Sequence, residues 1–297
     1  MEIRQLHTFL QVAAIQNFTQ AGRILGYSQS NISVQIQQLE REIGAPLFNR
    51  VGRHVTLTQY GEELIPYAQQ IVSTAIRMEN FLKSEEALGG TLRVGMVESL
   101  FVPLLRPVLE RYHRRFPRVR IELTVDATAS LKEQLNQGLV DLACIIDDPL
   151  PQTDWTCWHS VSVPVVIVCN PASPLAAGKA LSLRDLADQE FILMEESASY
   201  SVHFQRLTAQ QKLEIRPVLK LQSADMACRL VETGDFLSVL PMYSVRDAVE
   251  AGRVAILPVE DFSLSQLAQI VLHPGKIVIP QINGLLEELR EAFDQVV

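Results

Sequence analysis

The sequence predicts a multi-domain α+β chain: a small helical head closed by a β-hairpin, one long helix, and a larger α/β body. Three observations carry this expectation. Residues 19–43 give two short amphipathic helices around a break, residues 64–82 hold a heptad-spaced apolar stripe, and from Thr91 onward strand-like and helix-like segments alternate.

In the head, Leu6, Phe9, Leu10 and Ala13 follow the i, i+3, i+4, i+7 spacing of a first helix. Thr19 is the expected N-cap of the second, with Ala21, Ile24 and Leu25 inward and Gly26-Tyr27-Ser28 as the break. The third helix begins near Ser28 or Ser30 and buries Ile32, Ile36, Leu39 and Ile43. Its other face carries Ser30, Val34, Gln37, Gln38 and Arg41, flanked by Asn31 and Gln35. Short amides and hydroxyls at the start of an exposed helix can hydrogen-bond base edges in a major groove. The same pattern also fits a helical hairpin inside an ordinary core. Gly44 and Pro46 stop the helix, and β-prone segments flank Val51-Gly52-Arg53, a hairpin signal. Arg50 and Arg53 are placed for phosphates or the minor groove, or else as solvated surface arginines.

Thr58 caps the next helix, with Glu62 and Glu63 near its positive end. Leu64, Ala68, Ile71, Ala75, Met78 and Leu82 form an a/d seam, and so narrow a stripe on a long polar helix points to self-association. Leu88-Gly89-Gly90 is expected to end the helix as a hinge.

Composition limits the function classes. Of 297 residues, 47% are hydrophobic and 20% charged, as in an ordinary folded protein. The net charge of −8 is unevenly spread. Residues 1–58 carry five Arg and no Lys against three Glu, a balance of +2, and they form the only segment with a positive balance. There is no basic start followed by an apolar run, and no apolar run long enough for a bilayer, so a cytoplasmic protein without membrane contact is expected. The six histidines and four cysteines form no ligand-spaced cluster, so neither metal nor cofactor is expected. Cys144 and Cys169 read as buried hydrophobes, while Cys157 and Cys228 could serve as redox sensors.

The first 90 residues resemble the DNA-binding head and linker helix of LysR-type transcriptional regulators. The residues that carry the resemblance are Leu6-x-x-Phe9, Phe18-Thr19-x-Ala21-Gly22, Ser28-Gln29-Ser30-Asn31-Ile32-Ser33-x-Gln35-Ile36-x-x-Leu39-Glu40, Gly44-x-Pro46-Leu47-Phe48-x-Arg50-x-x-Arg53 and Leu57-Thr58-x-x-Gly61. The resemblance implies a winged helix-turn-helix over 1–58, a dimerising linker helix and hinge over 59–90, and an effector-binding domain over 91–297. DNA contact then falls to Gln29, Ser30, Asn31, Val34, Gln37, Arg50 and Arg53. Val34 and Gln37 stand where the family commonly places Arg or Lys, and Ser30 replaces a common proline. With Gln and Asn suited to adenine and Val34 to a thymine methyl, an A/T-leaning half-site is expected. Phosphate affinity then comes from Arg4, Arg23, Arg50, Arg53 and dimerisation.

In the body, strands are expected at 92–97, 119–125 and 140–146 and helices at 100–116 and 131–138, in parallel α/β order. A second lobe starts with Val163 to Cys169 and holds strands near Phe191, Val218 and Leu237 and helices near 202–212 and 224–233. Leu267 to Leu272 returns, and Ile282 to Val297 is a final helix. The order of elements and Gly234-Asp235-Phe236-Leu237-Ser238-Val239-Leu240-Pro241 resemble the two-lobed effector domain of the same family, akin to periplasmic binding proteins. Lobe I then comprises about 91–162 and 266–297, and lobe II about 163–265. The family more often has Gly at position 236, so Phe236 is expected to narrow the cleft.

Ligands of open α/β lobes bind beyond the carboxyl ends of strands, near helix N-termini. Glu98 and Ser99, Asp147, Ser197 and Ser199, and Ser223 occupy such loops, Ser99 aligning with a ligand-contacting Ser/Thr of the family. Each serine could equally be a plain helix cap. Glu98, Asp147, Asp148, Glu195, Glu196 and Asp225 crowd the same mouths; those that face the cleft favour an amine-bearing or zwitterionic effector such as an amino acid over a bare anion. The resemblance implies promoter DNA, a small-molecule effector and a second copy of the chain as partners, in a homodimer or homotetramer, with RNA polymerase as a further candidate. A solute-binding domain with a helical partner-binding head is the competing class, and the absence of a signal peptide weighs against it. An enzyme is not expected, since no G-x-S-x-G, phosphate loop or nucleophile motif is recognisable.

Overall fold

The structure, a computed structural model, describes residues 1–51, 54–80, 84–149, 155–178, 180–195 and 198–296. The head packs α1 (Ile3–Ile15), α2 (Phe18–Leu25) and α3 (Gln29–Ile43) around Leu6, Phe9, Leu10, Ile32, Ile36 and Leu39, all buried. Two expected inward residues are exposed, Ile24 and Ile43. Both sit in the last turn of their helices. Asn17, rather than Thr19, caps α2, its side chain accepting from the Thr19 and Gln20 amides at 3.0 Å. Gly26 takes the left-handed conformation (φ 71°) that turns the chain between α2 and α3.

β1 (Phe48–Val51) and β2 (His54–Leu57) pair antiparallel as a wing, with Arg50 opposite Val55. The Glu40 carboxylate accepts from the Leu47 and Phe48 amides at 2.9 and 3.3 Å, tying α3 to the first wing strand. α4 (Gln59–Asn80) follows, Thr58 accepting from the Gly61 amide at 3.1 Å. A Cβ on Gly61 would collide with the Leu47 carbonyl oxygen, so only glycine lets α4 approach the wing this closely. Leu88-Gly89-Gly90 does not end α4. A 3-10 turn spans Glu85–Ala87, and both glycines open β3 (Gly89–Met96).

The body is one nine-stranded sheet. Besides β3 it contains β4 (Arg118–Val125), β5 (Leu142–Asp147), β6 (Thr156–Cys169), β7 (Phe191–Met194), β8 (Pro217–Leu221), β9 (Leu237–Pro241), β10 (Ala255–Ile256) and β11 (Leu264–Leu272). The order is β4-β3-β5-β11-β6-β9-β7-β8, with β10 on β6. The expected parallel order holds within β4-β3-β5 and within β9-β7-β8. Between them β11 pairs antiparallel with β5 and β6, and β6 antiparallel with β9. The sheet is therefore mixed, because the chain crosses from one core to the other and returns along β6 and β11.

Helices cover the two cores. α5 (Glu98–Arg115), α6 (Thr128–Asn136) and α10 (Pro280–Val296) flank β3–β5, where Tyr112, Phe116, Leu286 and Phe293 are buried in one cluster. α7 (Ser199–Gln210), α8 (Ala224–Thr233) and α9 (Met242–Glu250) flank β7–β9, burying Phe191, Phe204 and Val231 in the other. Val163 belongs to the first cluster and Val165 to the second, so β6 passes between cores at that point. No helix among the described residues is long and apolar enough to cross a membrane.

The head rests on the body through the β11–α10 loop. Ile277 packs against the head core, and the Gln69 amide reaches the Pro274 carbonyl. At the other end of the linker, Arg115 binds Glu85 as well as Glu287 and Glu288 of α10.

Candidate DNA interface and effector cleft

α3 presents Gln29, Ser30, Asn31, Val34 and Gln37 to solvent, Val34 with 49% of its surface exposed. Ser28 caps the helix, accepting from the Asn31 amide at 3.2 Å. Gln35, expected on the flank, is buried. It accepts from Thr8 at 2.7 Å and donates to the Asn31 side chain at 2.6 Å, which fixes Asn31 from behind. The first two turns of α3 carry no charged side chain, so this face offers hydrogen-bond donors, acceptors and one branched apolar group. Arg50 lies in β1, and Arg53 falls outside the described residues.

The six linker positions divide between two faces. Ala68 is 0% exposed and Leu64 partly buried, both packed into the head core alongside Val72. Ala68 is thus claimed by its own chain and is not available to a second copy. Ile71 and Met78 are exposed, Met78 at 72%, and with Tyr60 and Tyr67 they form an apolar row on the outer face. Ala75 is half-buried, and Leu82 lies outside the described residues.

A cavity of about 480 Å³ opens between the two cores. The start of α5 lends it Glu98 and Ser99, the β4–α6 turn and the start of α6 Asp126 and Thr128, and the second core Glu195, Ser199, Tyr200 and Ser223. Its charged lining residues, among those described, are Glu98, Asp126 and Glu195, with no cation. Hydrogen bonds with Ser130 and with the Ala127 amide hold the Asp126 carboxyl below its ordinary range. Burial, reinforced by Glu98, pushes the Tyr200 phenol well above its own.

Of the expected ligand residues, Glu98, Ser99, Ser199 and Ser223 meet at this cavity. Asp147 does not. It faces α6, where Lys132 binds it at 2.5 Å. Asp148 pairs with His203 at 3.2 Å and Asp225 with Arg229 at 2.8 Å, whereas Ser197 and Glu196 lie outside the described residues. Ser99 is not the cap of α5, which begins one residue earlier. It accepts the Tyr243 hydroxyl at 2.7 Å. Ser223 does cap α8, accepting from the Met226 amide at 3.3 Å. Phe236 packs over Gly234 and the second core, away from the cavity lining. Asp126 and Thr128 escaped the sequence reading although they too follow a strand's carboxyl end, the rule that found the other loops. Neither sensor expectation gains support from acidity, since burial raises the Cys157 thiol and pushes Cys228 up to about 11.

A helix-turn-helix head with a wing, joined by a long helix to a body with an interlobe cavity, defines a DNA-binding transcription regulator with an effector-binding domain. Two family models match the chain in succession: the bacterial regulatory helix-turn-helix protein of the lysR family over residues 3–62, and the LysR substrate binding domain over residues 85–294. The chain belongs to the LysR family. The RuBisCO operon transcriptional regulator of Allochromatium vinosum is 29% identical, over 97% of this chain and 95% of its own. The regulator BenM of Acinetobacter baylyi is 29% identical, over 81% of this chain and 80% of its own. The crystal structure of full-length BenM superposes with a TM-score of 0.54 at 26% identity, covering 99% of this chain and 97% of that one. A full-length OxyR variant from Pseudomonas aeruginosa shares the fold, with a TM-score of 0.57 at 21% identity, covering 98% of this chain and 95% of that one. These relatives are regulators rather than enzymes.

Proposed function

We propose that the chain is a homo-oligomeric cytoplasmic regulator, without catalytic activity, that reads an A/T-leaning half-site and answers to an amine-bearing effector. The observation that carries the effector reading is the cavity lining, where Glu98, Asp126 and Glu195 supply negative charge and no described residue supplies positive charge. An ammonium group finds carboxylate partners there, while a bare dicarboxylate meets repulsion. The half-site reading rests on the uncharged row Gln29, Ser30, Asn31, Val34 and Gln37. Assembly uses the outer row of α4, with Ile71 and Met78 against a second copy, and two such dimers can pair as a tetramer before RNA polymerase is engaged. The lobes divide near 162/163 and 265/266, and the effector acts by binding one arrangement of lobes and linker better than another.

Gel shifts on the chain's own upstream DNA, with and without amino acids and simple amines, test this reading. Specific retention altered by an amine is expected. Failure to retain any promoter fragment at low salt, or a response to carboxylates alone, overturns it.

A further inference from the structure

Glu98, the first residue of α5, does not project into the cavity as an unengaged charge. One carboxylate oxygen accepts the Ser223 hydroxyl at 2.7 Å and the other accepts the Ala224 amide at 3.0 Å. Both donors belong to the N-terminus of α8, a ten-residue helix on the opposite core, where unsatisfied backbone N–H groups and the helix dipole favour an anion. The neighbouring residue repeats the crossing, as Tyr243 of α9 donates to Ser99. Glu98 and Ser99 also line a second cavity of about 620 Å³, between α5, α8 and α9. The two residues therefore form a wall between two spaces, and the Glu98 carboxylate sits where the cleft offers its donors.

We infer that Glu98 is a built-in anion: it fills the α8 N-terminus and so excludes carboxylate effectors from that subsite. The inference rests on the reading of the cleft as the effector site. An external carboxylate would have to displace a tethered one that already holds a side-chain and a backbone donor, and Glu195 and Asp126 in the same cavity add repulsion. Glu98 is in this sense a specificity-determining residue, and the space it occupies becomes an anion site once the side chain is removed.

The test uses the full-length protein and its thermal midpoint in sodium acetate and sodium sulfate, against sodium chloride at matched ionic strength. Glu98→Ala vacates the helix end and is expected to gain about 3 °C at roughly ten times Kd of the anion, with no gain in the parent protein. Glu98→Ser vacates the same space with a residue suited to a helix start, and it is expected to show the same gain if the alanine variant folds poorly. Two controls are expected to gain nothing: Glu98→Gln, which removes the charge but keeps the space filled, and Glu195→Ala, which removes a cavity carboxylate that does not touch α8. Equal anion responses in parent, Glu98→Ser and Glu195→Ala overturn the inference. Methylammonium is tested alongside. Lack of any amine response with the anion gain intact counts against the amine effector and leaves the role of Glu98 standing, so the two readings fail separately.

Discussion

The Thr8 hydroxyl on α1 donates to the Gln35 side-chain oxygen on α3 at 2.7 Å, and both residues are buried. Gln35 in turn donates to Asn31 at 2.6 Å, so a relay of two hydrogen bonds runs from the head core to the exposed row of α3 proposed to read DNA. Thr8→Val takes the hydroxyl from a buried acceptor, at a cost of about 1–3 kcal/mol. Chemical denaturation should show the loss, and gel shifts should show weaker binding. Adding Gln35→Leu removes the orphaned group and should recover stability without recovering affinity, because Asn31 then loses the Gln35 amide that holds it. A double variant that regains affinity as well would show that Asn31 does not depend on the relay.

The uncharged face of α3 makes a gain-of-contact experiment decisive. Gln37 is exposed one turn beyond Ser33, and an arginine there can reach phosphate or pair bidentately with guanine. Gln37→Arg should tighten binding and steepen the dependence of log K on log salt by about 0.9 per added phosphate contact. In binding-site selection it should shift one position of the half-site from A/T toward G. Unchanged affinity, salt slope and preference together would place Gln37 away from DNA.

The head was legible in the sequence because its signals are local. The spacing of Ile32, Ile36 and Leu39 sets the inner face of α3, and Val51-Gly52-Arg53 announces the wing. What misled was competition between partners at equal spacing. Ala68 fits the heptad seam as well as Met78 does, but α1 lies on its side of α4, and only tertiary packing decides which face is used first. The cleft was legible by the rule of strand ends, which found Glu98, Ser199 and Ser223. It could not separate Asp147 from them, since a carboxylate at a strand end turns to whichever cation is near, here Lys132. Nor could it show that Glu98 meets α8, a contact between residues 125 positions apart.

That division of α4 gives two substitutions with different outcomes. Met78→Glu places a charge on the exposed row and should dissociate the assembly while leaving a folded chain, seen as a smaller sedimenting species with unchanged helical signal. Ala68→Glu buries the same charge between α4 and the head core, where Ala68 has no exposure, and should unfold the head. A Met78→Glu protein that sediments as the parent does would remove the outer row from the interface.

The contact between head and body should be sensitive to acid. His273 lies in the β11–α10 loop whose neighbours Pro274 and Ile277 meet the head, and its Nδ1 accepts the Gly275 amide at 3.0 Å. Burial, with Lys276 adding to it, pushes the imidazole from 6.5 down to about 4. At pH 7 the ring is neutral in both folded and unfolded chains and costs nothing. As pH falls below 6.5 the unfolded chain takes up the proton and the folded chain does not, so stability is lost, by at most about 1.4 kcal/mol per pH unit. The loss is complete near pH 4, below which both forms are protonated. Protonation also removes the acceptor that shapes the loop, so exchange of the loop and α4 amides should accelerate ahead of the rest of the body. His273→Asn cannot take the proton and should flatten that part of the pH profile between 6.5 and 4. Superimposable profiles for the parent and His273→Asn would show that the acid response arises elsewhere, among the carboxylates.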